Sequence, residues 1–297
     1  AYASDVRNTL RDPGATPSFN PAAGIQGWEA TGTAPGNTFA LPGATAAVVD
    51  ASGNAAWTTA AGAVLDAGTM VLPGSDVVRI WGGDDNATTI TSGSPGANTV
   101  LTVTPNSGIQ NDEVLLISDC QNLPEVVQAC TFNANVNNAI LSAGCNPGND
   151  TSVRLRTRVG GQVVKLRSYI YYVGKRNDDP NNPPGLFRRP LATGGANGAA
   201  AGTPEEVVEG VESMQLLYGI DTNNDRVVDR YVTANNVTNW TSVLGVQVAL
   251  LMRATEVGDD ISGAVTHVLG GVNATATNDR RLRQVFTTTI ALRNRVP

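Results

Sequence analysis

The residues best placed to do chemistry lie between Asp221 and Asp229. Asp221, Asn223 and Asp225 put an oxygen side chain on every second residue, and Asp229 adds a further carboxylate. Calcium takes six to eight oxygens from carboxylates, amides and main-chain carbonyls. These side chains occupy the first, third and fifth positions of an EF-hand-like loop, with the Val227 carbonyl at the seventh and Asp229 at the ninth. Two residues depart from that pattern. Arg226 stands where an EF-hand has glycine, and Val232 where it has its bidentate glutamate. The alternative is a long turn in which Asp and Asn bond their own backbone, with Arg226 and Arg230 balancing the charge. Both readings stay open: a Ca2+-binding hairpin loop, or an Asx-rich turn.

Other chemistry finds little support. His267 is the one histidine, and no GxSxG, HExxH or phosphate-binding loop accompanies it. The pairs Asp84-Asp85, Asp178-Asp179 and Asp259-Asp260 lie in Gly/Asn-rich surroundings that suggest solvated turns. The expectation is a protein that is not an enzyme. Arg280, Arg281, Arg283, Arg293 and Arg295 form a basic cluster without interleaved aromatics, in a chain of net charge −6. A nucleic-acid surface is therefore not expected. The cluster reads as a solvated strand face paired with Asp259, Asp260 or Asp279.

The loop needs strands to hold it. From Pro204 the chain alternates apolar and polar residues through Met214, Leu216 and Tyr218, the period of a half-buried strand. Alternation returns over Val227–Tyr231, giving strand, acidic loop, strand. Further strands are expected at Asp76–Trp81, Thr99–Val103, Val114–Ile117, Val153–Val159, Gln162–Val173, Val243–Ala254 and Val285–Asn294. In the last, the face carrying Phe286, Thr288, Ile290 and Leu292 is expected to be mostly core. Gly82–Asn86 reads as a turn, and Thr203-Pro204-Glu205-Glu206 as a capping box opening one helical turn. Trp28 and Trp57 read as packing anchors for a coil rich in Gly, Pro, Ala and Asn. With 32 Gly, 16 Pro and 5% aromatics, the composition favours many turns and short strands. Nine to eleven antiparallel strands with short connections are expected.

Cys120, Cys130 and Cys145 make an odd count, which in an exported domain leaves one thiol over. A hairpin around Asn133–Asn138 would bring Cys130 and Cys145 together, the favoured disulfide. Cys120 would then be unpaired or have lost a partner. The alternative is Cys120–Cys130 with Cys145 free. The longest apolar run, Val243–Met252, falls short of the roughly twenty residues a membrane helix needs.

The stretch from Glu209 to Asp221 also resembles the PilW family of type IV pilus assembly proteins, the minor pilins. Its "EGV-x-x-(apolar)-Q-(apolar)-x-YG-(apolar)-D" segment is matched by Glu209, Gly210, Val211, Met214, Gln215, Leu216, Tyr218, Gly219, Ile220 and Asp221. Glu113–Cys120 (EVLLISDC), Gly185–Arg189 (GLFRR) and Arg283–Arg295 (RQVFTTTIALRNR) follow the family's order, and Gly24–Glu29 is a looser match. The resemblance implies an α+β, predominantly antiparallel β pilin-like head on the end of a long N-terminal helix. That helix is expected to be missing here, with residues 1–12 its residual end or linker and 13–297 the head. It also implies docking with other minor pilins, the major pilin and the tip adhesin. The helix would anchor in the inner membrane, with the head facing the periplasm before the protein joins the extracellular pilus tip. A J-type pseudopilin of type II secretion resembles the same segment, and a calcium-dependent adhesin head is the reading from another class.

Overall fold

The computed structural model describes residues 7–8, 24–42, 49–50, 57, 70–94, 99–119, 124–142, 145, 148–149, 159–175, 183–191, 202–258 and 263–292. Among them the fold is predominantly antiparallel β. Helix is confined there to two 3-10 turns, Ala234–Asn236 and Trp240–Ser242, so no helical stalk is present among the described residues. None of these is long and apolar enough to cross a membrane. Of residues 1–12, Arg7–Asn8 is described; it is a short strand running parallel to Glu125–Val126. The expected Val153–Val159 strand lies largely outside the described residues, as do Cys120, Asp178-Asp179, Asp259-Asp260, Arg293 and Arg295.

The chain forms two compact units. The first holds residues 80–168 with 1–24 and 190–202. Here Glu113–Ser118 pairs with Glu125–Ala129 on one side and with the start of Gln162–Gly174 on the other. A second ladder runs from the far end of Val77–Ser94 through Thr99–Val103 and Asn138–Leu141 to Thr131–Asn133. The apolar sides of these strands close over Ile90, Leu101, Leu115, Ile117, Val127 and Leu141, all buried. Gly82–Asn86 is not the expected turn but continues the 18-residue Val77–Ser94 strand. Within it Asp84 meets Arg167 and Lys165, so this carboxylate is tied to the neighbouring strand rather than left in a loop. Burial works against the Asp84 carboxylate, but the Asn86 amide, with Arg167 and Lys165, holds its carboxyl below the usual range.

In the same unit, Cys130 and Cys145 are joined by a disulfide, with Cα atoms 5.2 Å apart. The Thr131–Asn133 and Asn138–Leu141 strands form the hairpin between them. Beside the bond, buried Gln128 and Asn149 exchange bonds: the Gln128 amide donates to Asn149 Oδ1 at 2.8 Å, and Asn149 Nδ2 donates to the Gln128 carbonyl at 2.7 Å. Both of these bonds use the Gln128 backbone; its side chain is met elsewhere, with Nε2 donating to the Asp112 carbonyl at 3.0 Å and Oε1 accepting the Gly148 amide at 2.7 Å, so both buried amide side chains are satisfied.

The second unit comprises residues 25–79, 169–189 and 203–297. Its main sheet has the order Arg230–Val232, Val211–Ile220, Val243–Arg253, Arg283–Ala291. Val211–Ile220 is its centre, and the alternation read in the sequence places Met214, Leu216, Tyr218 and Ile220 in one core cluster with Val243 and Val246. Trp28 and Trp57 are buried, as anchors should be. Thr203–Glu206 does not open a helical turn. Glu205–Glu209 is a strand paired with Gly185–Leu191, its Glu205 bonded to Arg188 at 2.6 Å. A full set of ladder bonds outweighs a local cap of roughly 1 kcal/mol. Gly210 then turns the chain at φ +80°, and the Arg253 amide donates to its carbonyl at 2.7 Å. A Cβ at this position would press on the Arg253 carbonyl, which gives the EGV segment a physical reason for its glycine.

Candidate functional site

The acidic loop joins Val211–Ile220 to Arg230–Val232. Its base is closed by the Asp229 amide donating to the Ile220 carbonyl at 2.9 Å. Asp221 organises the turn. Its Oδ1 accepts from the Asn223 and Asn224 amides at 3.1 and 2.6 Å, and its Oδ2 from the Arg226 amide at 2.8 Å. Asn223 Oδ1 accepts from the Asp225 amide, and Asp225 Oδ1 from the exposed Val227 amide. Asn223 Nδ2 donates to Asp225 Oδ2 at 3.0 Å. Asp229 Oδ2 accepts from both the amide and the hydroxyl of Thr222 at 2.6 Å, which holds its carboxyl below the usual range, helped by Arg230.

This is the self-bonding expected of an Asx-rich turn. It is also the curvature of a calcium loop in one respect: Arg226, at the glycine position, takes φ +67°. Among the described residues no three His, Cys, Asp or Glu side chains converge to hold a metal.

The second feature is the outer strand Arg283–Ala291. It is hydrogen-bonded along one side to Val243–Arg253, with Leu250 opposite Phe286 and Val246 opposite Ile290. The sequence marks Phe286 and Ile290 as core; the structure leaves them 51% and 53% exposed. The reason is position. The core over Tyr218 and Leu216 reaches Val246 and Leu250, then thins out at the last strand. Leu292 alone of that face packs on the cluster. An apolar stripe on an edge strand is a site where another chain can add contacts or a further strand.

Of the basic cluster, Arg280 is exposed and Arg281 half-buried, whereas the Arg283 side chain is internal. Arg283 makes two-pronged contacts with Glu212, at 2.6 and 3.0 Å, and with Asp279, at 2.8 Å twice. Glu212 also faces Arg253, and the side chains of Glu212, Arg253 and Arg283 are 3–5% exposed. The expectation of a solvated arginine face fails at Arg283, although its pairing with Asp279 is present. Arg281 caps the Ala254 and Thr255 carbonyls. His267 lies near this network, and burial with the Arg283 charge pushes its pKa down.

Sequence reasoning missed a buried acidic pair, Glu29 and Asp76, which carries no local signal because the two lie in different segments. Asp76 Oδ1 accepts from the Ala30 amide at 2.8 Å and Oδ2 from the Leu216 amide at 2.7 Å.

Fold and surface together define a β-rich protein with an acidic hairpin loop and an uncovered apolar edge. The model of the family described as "Type IV Pilus-assembly protein W" matches residues 170–294, which hold the central strand, the loop and the outer strand. The matched residues make up less than half of the 297-residue chain; over this segment the chain is similar to the PilW family, which points to type IV pilus assembly. Glu113–Cys120 and Gly24–Glu29 precede the matched residues. No curated protein and no solved structure matches the chain.

Proposed function

We propose that the protein is a minor pilin without catalytic activity. It joins other minor pilins in a complex that primes type IV pilus assembly and carries the tip adhesin, in the service of adhesion and twitching motility. Its head faces the periplasm before assembly, held to the inner membrane by an N-terminal helix, and then stands at the extracellular tip, in reach of the major pilin. Nucleic acid is not a partner. The observation that carries this reading is the bare Phe286–Ile290 stripe on an edge strand inside the family-matched segment. Edge strands recruit partners by main-chain pairing, while exposed apolar side chains set specificity.

Co-purification from solubilised envelopes tests it. Replacing both Phe286 and Ile290 by Lys is expected to reduce recovery of the other minor pilins while circular dichroism of the head stays unchanged. Full recovery would remove this stripe from the interface.

A second reading, Ca2+ held at Asp221, Asn223, Asp225, Val227 and Asp229, is favoured by the left-handed backbone of Arg226. It would allow a calcium-dependent adhesin head. Thermal unfolding with calcium and with chelator tests it. A rise in Tm that is lost in Asp225→Ala supports the metal, and coincident curves leave a plain Asx-rich turn.

A further inference from the structure

Glu29 and Asp76 are 1% and 2% exposed. Asp76 bonds the residue after Glu29, so the two carboxyls lie close together at one junction. Each half of that junction comes from a different element. Ile25–Trp28 leads into Glu29 and Ala30, whereas Leu216 sits in the middle of Val211–Ile220. Asp76 also donates its own amide to the Met214 carbonyl at 2.9 Å, completing a bridge along that strand. Thr33 Oγ1 donates to Glu29 Oε1 at 3.4 Å, and the Ala234 amide of the 3-10 turn faces the same carboxyl.

The titratable group facing the pair from Val211–Ile220 is Tyr218. Its ring is fully buried, and its hydroxyl has no hydrogen-bond partner among the described residues. Gly27 makes room for it, since a Cβ there would strike the phenol. Burial and the nearby Asp76 and Glu29 charges push the phenol's pKa up, so Tyr218 stays neutral and adds no charge of its own. Two carboxylates cannot both ionise cheaply in such a place. Asp76, with two backbone donors, is the better anion, and Glu29 the better proton holder.

We infer that Glu29 and Asp76 form a proton-dependent latch that fastens the 24–42 segment to Val211–Ile220 and loosens when the pair gives its last proton to water. Burial raises both carboxyls above their ordinary values of 4.5 and 3.8, and for Glu29 the Asp76 charge adds to the effect. The folded pair therefore keeps protons that the unfolded chain releases. Its contribution is fully favourable below those ordinary values and declines as pH rises through and above them, until the folded pair has itself ionised. The Ala30 and Leu216 amides, which both rest on Asp76, report the latch directly.

Hydrogen exchange of the 297-residue chain between pH 5 and 9 tests it. The Cys130 amide, bonded to the Ile140 carbonyl in the other unit, serves as control. Protection factors at Ala30 and Leu216 should fall with pH by up to about tenfold per unit for one proton, while Cys130 changes much less. Glu29→Gln should make the Ala30 and Leu216 profiles shallower, leaving the part that Asp76 contributes, and raise Tm at pH 8 to 9. Flat wild-type profiles would overturn the latch, as would an unchanged slope in Glu29→Gln. If Glu29→Gln fails to fold, Tyr218→Phe decides: it keeps both carboxyls and must keep the slope, and a lost slope would assign the effect to the phenol instead.

Discussion

Asp76 accepts the Leu216 amide at 2.7 Å across 140 residues of sequence. The same carboxylate accepts the Ala30 amide, so one side chain satisfies two buried backbone donors from separate segments. Leaving a buried donor unpaired costs about 1–3 kcal/mol. Asp76→Ala should therefore lower stability by roughly 3 kcal/mol or more. Asp76→Asn, which retains one acceptor oxygen, should lose less. Urea unfolding of the two variants checks the order, and equal losses would show that the backbone donors find other partners.

Gly27 and Tyr218 are a matched pair. A Cβ at position 27 would fall on the Tyr218 hydroxyl and ring. Tyr218 also meets Trp240 edge-on, with ring centroids 4.9 Å apart, so it has little room to retreat. Gly27→Ala should cost about 1–3 kcal/mol as an overpacked core does. Combining it with Tyr218→Phe should recover part of that loss, measurable by a double-mutant cycle. Simple additivity would argue against the contact.

Two ion pairs of the second unit should behave in opposite ways. Arg283 with Glu212 is buried, and removing one partner strands the other charge, so Glu212→Ala should cost about 3–5 kcal/mol. Glu205→Ala breaks an exposed pair with Arg188 and should cost under about 1 kcal/mol. Added salt should narrow the second effect and leave most of the first. Asp279 works in the same network. Burial opposes its ionised form, but bonds and charge from Arg283 more than compensate and hold its carboxyl below the ordinary 3.8. Its stabilising effect is present above that value and is lost as pH falls through the folded one. Acid unfolding of Asp279→Asn should show a shallower pH dependence than the wild type in that range.

The Cys130–Cys145 bond closes a sequence separation of 15 residues, for which chain entropy predicts about 3 kcal/mol. Replacing both cysteines by serine should lower the stability of the first unit by that order. Reductant should then leave the double variant's melting curve unchanged, and a further shift would point to a disulfide between chains through the remaining Cys120.

The centre of the second unit was legible because alternation alone put Met214, Leu216, Tyr218 and Ile220 on one face, and burial followed. The 131–141 hairpin was legible from its Asn-rich turn. What sequence could not show was what lies over a face or beside an edge. Phe286 and Ile290 alternate like core residues, yet their exposure depends on cover, which periodicity does not encode. At Glu205 a plausible cap lost to pairing with Arg188's strand, a tertiary contact. Gly82–Asn86 remained extended because Asp84 bonds Arg167, 83 residues on, and two glycines do not force a turn when a neighbouring ladder is available. The oxygen side chains of Asp221–Asp229 are legible from their spacing, but oxygen spacing cannot separate a metal loop from one that bonds its own amides. Glu29 and Asp76 were invisible as a pair because neither segment announces the other.

Genetic complementation tests the minor-pilin role most directly. The gene is deleted and restored in full, with surface pili, twitching and type II secretion scored side by side. The account predicts loss of pili and twitching on deletion, rescue by the intact gene, and normal secretion throughout. Loss of secretion with normal pili would contradict it and move the protein to the pseudopilins of type II secretion.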